Sequence, residues 1–255
     1  MASHCNCMMK EYSIIKKFIS CLVAALTTIA SLLVLGNSGN LTWFPPLVVF
    51  SLVGLIFLGA IIYPIIWQHQ ERKQKINSVK IYSFLNTLIR YTIAFNLASF
   101  GWKKIFGLQF IVPKSIADKP MNEQSGEWLT WFYFGYSRTF GLVLAFIQIV
   151  GSYLLLFRKT FLIAAIALFA FMLNLTLINI FYQMNAGALT QSILLTTGLV
   201  YIILADYQRL KTFFLNTSPN FPCLTINNST LKNSVRLSAI ILSLLFVLYL
   251  KSLMK

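Results

Sequence analysis

Apolar residues in this chain gather into long continuous runs, and short charged or turn-forming stretches separate one run from the next. A helix crossing the hydrocarbon core of a bilayer needs about 20 mostly apolar residues, and about seven runs approach that length. They predict helices over Phe18–Leu35, Leu47–Trp67, Ile81–Gly101, Thr139–Phe157, Phe161–Tyr182, Ala188–Ala205 and Val235–Leu250. The first ends at Gly36-Asn37-Ser38-Gly39, and the second is entered through Pro45 and Pro46. Lys10, Lys16 and Lys17 before the first run imitate a secretory signal, but the long apolar core and the absence of a small-x-small cleavage site favour a retained helix. The expected fold is an all-α, polytopic membrane bundle.

The third run is the most polar, because Arg90 falls near its middle. An ionised side chain at the centre of a membrane helix costs about 2.5 to 3.5 kcal/mol on insertion scales. The six acids are Glu11, Glu71, Asp118, Glu123, Glu127 and Asp206, and none lies inside a predicted span. Arg90 must therefore find neutral side-chain or carbonyl acceptors, an inward-folding loop carboxylate such as Glu127 or Asp118, or an anionic or carbonyl-bearing ligand.

Composition agrees with a lipid environment: of 255 residues, 58% are hydrophobic and 11% charged, and the mean hydropathy is +0.74. The 21 Lys and Arg against six acids would suggest nucleic acid in a soluble protein. Here the basic residues lie between apolar runs, so topology and anionic headgroups explain them, and nucleic acid is not an expected partner. Lys10, Lys16, Lys17, Arg72, Lys73, Lys75, Lys80, Arg158, Lys159, Arg209, Lys211, Lys232 and Arg236 fall on one side if every run spans. That side is the expected cytoplasmic one, with the amino terminus on it. Lys103, Lys104, Lys114 and Lys119, in the loop 102–137, run against the rule. Richness in Lys, Ile and Asn, with no eukaryotic sorting tail, points to a bacterial inner membrane.

Amides within the runs supply candidate partners for Arg90: Asn86 one turn before it, and Gln148, Asn174 and Asn179 in other helices. Helical spacing places Ser137, Gly141, Ala145, Gln148 and Ser152 on one stripe, and Ala167, Ala170 and Asn174 on another, with Asn179 pointing elsewhere. Gly187, Gln191, Gly198 and Ala205 form a third. Small residues let membrane helices approach closely, so runs three to six are expected to pack as one four-helix unit. Trp128, Trp131, Phe132, Tyr133, Phe134 and Tyr136 predict an interfacial belt or a short helix on the membrane surface, where a quinone or sterol could stack. No metal site is expected, since Cys5-x-Cys7 beside His4 lacks a second ligand pair. No Ser-His-Asp set, haem ligand pair or Gly-rich phosphate loop is present either, so a lone enzyme is disfavoured.

Arg90, Phe100-Gly101-Trp102-Lys103-Lys104-Ile105-Phe106, Gly135-Tyr136-Ser137 and Gln148-Ile149-Val150-Gly151-Ser152, followed by Leu154–Thr160, resemble the DoxX-like membrane family. That family has a four-helix core with an Arg in its first helix, a Gly-x-x-Lys at that helix's end, and a Glu-x-x-Gly-Gly in its second. The resemblance covers about 81–214. It implies an amino-terminal helix pair (1–80), a DoxX-like core (81–214) and a carboxy-terminal loop and helix (215–255). Gln148 stands where the family usually has Glu, and Ser152 replaces the second Gly. The resemblance further implies a membrane subunit of a quinone-linked redox complex, binding a quinone or small anion near Arg90. Arg90, Lys104, Gln148 and Asn174 are the candidate ligand-binding or polar-core residues. A noncatalytic scaffold or transport-related protein is the alternative.

Overall fold

A computed structural model of the chain describes residues 12–36, 45–216 and 229–253. Among them every regular element is helical. The principal helices are α1 (Ile14–Leu35), α2 (Pro46–Arg72), α3 (Ser78–Ile105), α6 (Arg138–Leu156), α7 (Phe161–Phe181), α8 (Ala186–Ala205) and α10 (Ser229–Leu253). Shorter helices are α4 (Lys114–Ala117), α5 (Gly126–Gly135) and α9 (Tyr207–Lys211). The expectations about His4, Cys5, Cys7 and Lys10 and the loop at Gly39 lie outside the described residues.

Five helices, α1, α2, α6, α7 and α8, are long and apolar enough to cross a membrane, and a multi-pass membrane protein accounts for them. These are five of the seven expected runs; the other two are the run containing Arg90, in α3, and the last helix, α10.

Side-chain caps place several helix starts. Asn77 accepts from the amides of Val79 and Lys80 at 3.0 and 3.2 Å at the start of α3. Ser137 does the same for Phe140 in α6 at 3.3 Å, and Asn185 for Ala188 in α8 at 2.9 Å. Each satisfies amides that the first helical turn cannot pair internally.

The chain divides after Leu210. In the first unit α3 packs on α6, α6 on α7, α7 on α8, and α8 back on α3, so the four helices close a ring. Helix α1 lies against α3 and α8 and carries α2 on its outer side. The core is continuous across the ring and α1: Cys21, Ala24 and Ala30 share it with Ile89, Ile93, Leu97, Leu155, Leu168 and Leu199. Glycines set the closest crossings. A Cβ on Gly101 of α3 would lie 2.6 Å from Ile149 Cγ1 of α6, and one on Gly198 of α8 would lie 2.7 Å from both Ile93 and Thr27. The second unit contains α10, whose residues 241–249 are exposed.

The stripe expected on α6 is inward: Ala145, Gln148 and Ser152 are buried. That on α7 is corrected, since Ala167, Ala170 and Asn174 are exposed. Its buried face runs instead through Ala164, Ala165, Leu168, Met172 and Thr176. Helix α7 is apolar nearly all round, so periodicity does not select a face.

Candidate functional site

Arg90 sits halfway along α3, and its guanidinium is directed at the carboxy-terminal end of α6. Nε donates to Leu155 O at 3.0 Å and Nη2 to Leu156 O at 2.6 Å. Thr160 Oγ1 donates to Leu154 O at 2.7 Å. These are carbonyls of the last helical turn, which have no amide partner within the helix and carry its negative dipole end. Arg90 thus caps α6 from a neighbouring helix, and its Cζ lies 4.7 Å from the centre of the Phe161 ring. Backbone carbonyls receive it, whereas the amides and loop carboxylates considered from the sequence do not. Asn86 donates to Tyr82 O. Glu127 takes the Asn185 amide at 2.8 Å.

Fourteen residues of helix separate Arg90 from Lys104, a rise of about 21 Å, so the two candidate cations belong to different places. Lys104 lies in the last turn of α3 and points into the ring. Its Nζ donates to Gln148 Oε1 of α6 at 2.8 Å and to Phe100 O at 3.4 Å, and lies 5.6 Å from the centre of the Phe110 ring. Among the described residues no carboxylate forms a salt bridge with it. The resemblance singled out Lys104, and the structure brings it to Gln148. Asn174, on the exposed face of α7, does not join them.

Lys104 and Gln148 line a partly open cavity of about 130 Å3 between α3, α6, α7 and α8. Helix α5 packs on α6 and α7 and contributes Thr130, Trp131 and Phe134 to the lining. Gly126 lets it sit close, because a Cβ there would lie 2.6 Å from the backbone oxygen of Tyr182. Phe110 stacks on Phe134 with centroids 5.4 Å apart, and meets Trp131 edge-on at 5.9 Å. The expected aromatic belt is therefore split: Trp131 and Phe134 cover the cavity, while Tyr133 and Tyr136 are exposed.

Sequence reasoning missed three features of this cavity. Gln109 and Phe110 lie in the connection after α3, where nothing in the pattern marked them. Phe110 adopts φ +67°, uncommon for a bulky residue and the kind of backbone strain that gathers at built sites. Gln109 Oε1 and Gln191 Oε1 are buried acceptors without a donor, although Gln191 Nε2 is anchored on Ala30 O at 2.8 Å. Asn179, set aside from the α7 stripe, lines the cavity and donates to Ala188 O. The cavity thus offers one cationic donor, two unused acceptors and aromatic walls.

At the opposite end of the bundle Lys17 is fully buried. It pairs with Glu71 and Gln68 of α2 and lies 5.5 Å from the Trp67 ring centre. Ser78 donates to Glu71 and accepts from Trp67 Nε1 at 2.8 Å. The sequence placed Lys17 and Glu71 outside the spans and left them unpaired. Their separation of 54 residues has no local signature.

No family model matches the chain, and neither a curated protein nor a solved structure does.

Proposed function

We propose that this chain is a seven-span integral membrane protein of DoxX-like type, in which the Lys104–Gln148 cavity holds the head of a quinone and serves a membrane redox complex. The observation that carries this reading is the pairing of a half-buried cation, without a salt bridge among the described residues, with two orphaned acceptors lining one aromatic-walled cavity. A quinone carbonyl accepts from Lys104 Nζ, and the hydroxyls of the reduced form donate to Gln109 and Gln191. A cavity of about 150 Å3 holds a benzene-sized ring, so the volume suits one such ring, with any tail leaving between helices. Helix α3 counts as a span because the apolar helices α1, α6 and α8 pack on it, and its Asn96 Nδ2 donates inside the bundle to Ser31 Oγ at 2.7 Å. Helix α10 is the seventh. The basic end lies in the cytoplasm of a bacterial inner membrane.

Native mass spectrometry of gently extracted protein tests this. Wild type should retain a quinone-class molecule, and Lys104→Met and Gln148→Leu should lose it while remaining folded. Finding neither a quinone nor an oxidoreductase partner on the wild type sinks the redox reading. The noncatalytic scaffold alternative rests on Arg90, whose hydrogen bonds go to backbone; it expects no ligand difference among these variants.

A further inference from the structure

Three guanidinium groups gather at the turn between α6 and α7. Arg90 Cζ lies 4.7 Å and Arg209 Cζ 6.0 Å from the centre of the same Phe161 ring, so the two cations are at most about 11 Å apart, near the screening length of physiological salt. Arg158 lies in the turn itself, two residues beyond the Leu156 carbonyl that Arg90 caps. Among the described residues the salt bridge made by this group is Arg209 to Asp206 at 3.6 Å, which leaves two positive charges unbalanced. Glu71, the other acid described at this end, is engaged by Lys17. The Arg209 side chain is 51% exposed, and Arg158 and Lys159 are exposed too. An incoming anion can therefore reach them.

The turn joins the ends of two helices apolar enough to span the membrane, which is where lipid phosphates lie. Tyr153, Phe157 and Ile163, on either side of it, are large, apolar and exposed, a surface along which acyl chains can run. Guanidinium groups bind phosphate with paired, charge-assisted hydrogen bonds. We propose that Arg158 and Arg209, backed by the charge of Arg90, hold the phosphate of an anionic phospholipid at the α6–α7 turn. The exposed apolar flank favours a lipid over a phosphate from solution.

The test is titration of purified protein with phosphatidylglycerol and phosphatidylcholine, read by native mass spectrometry. Wild type should bind one phosphatidylglycerol in preference to phosphatidylcholine. Arg158→Gln/Arg209→Gln should weaken it roughly 25-fold, taking about a factor of five for each basic residue at a membrane surface. Lys73→Gln/Lys75→Gln removes the same charge from the same end and should change binding less than about threefold. Equal losses in the two double variants would reduce the site to diffuse attraction and overturn the proposal. So would a wild type without lipid preference, or displacement of the lipid by millimolar inorganic phosphate, which would assign the site to soluble phosphate. Should the glutamine pair fail to fold, the single variants carry the same test at roughly fivefold each.

Discussion

Lys104 and Gln148 meet across the α3–α6 interface at 2.8 Å, a half-buried ammonium on a buried amide, with no salt bridge to the ammonium among the described residues. The amide satisfies a hydrogen bond but leaves the positive charge uncompensated. Gln148→Leu removes that acceptor and should lower stability by about 1 to 3 kcal/mol, read as a fall in the thermal midpoint in detergent. Lys104→Met/Gln148→Leu should be less destabilised than the two single changes added together, because the double variant leaves no stranded ammonium. Simple additivity would show that the pair is not coupled.

Arg90→Lys keeps the charge but cannot reach two successive carbonyls with one planar fork. It should destabilise by about 1 to 3 kcal/mol, and Arg90→Gln by more. Neither should alter quinone retention in protein that remains folded, since Arg90 is about 21 Å along α3 from Lys104. Selective ligand loss in folded Arg90→Gln, with Lys104→Met silent, would move the binding site back to Arg90.

Glu71→Gln leaves Lys17 buried beside neutral amides. Breaking one side of a buried pair typically costs about 3 to 5 kcal/mol. Lys17→Met/Glu71→Gln should recover part of that, because the charge is gone. Thermal unfolding of the three variants measures it, and a double variant worse than Glu71→Gln would contradict the pairing.

Gly126→Ala pushes a methyl group into the backbone oxygen of Tyr182, which cannot swing aside as a side chain can. Overpacking of this kind costs about 1 to 3 kcal/mol. It should also loosen α5 over the cavity. A thiol probe on Thr130→Cys should react faster in this background; an unchanged rate would mean that α5 is held by its aromatic contacts alone.

Much of the bundle could be read from the chain. The apolar runs match α1, α2, α6, α7 and α8 to within a few residues at each end, because membrane length is a strong constraint on helix length. The inward face of α6 was legible too, since Gln148 lies on a single small-residue stripe. Helix α7 was not: with Ala164 and Ala165 on one side and Ala167 and Ala170 on the other, its composition supports either face. The partners of Arg90 were not legible for a different reason. Counting along its own apolar run put it at mid-span, but its surroundings are set by where α6 ends, a property of a distant segment. The cavity was half visible, through Lys104 and Gln148. Gln109 and Phe110 lie in a connection with no periodic pattern to mark them.

The cap that Arg90 places on α6 also imposes an order on synthesis. Leu155 and Leu156 lie 65 and 66 residues further along the chain, so α3 leaves the ribosome with its guanidinium unanswered and must wait for the α6–α7 hairpin. If α3 spans as proposed, it is until then a poor candidate for release into lipid, because a charge at mid-span is costly without a partner.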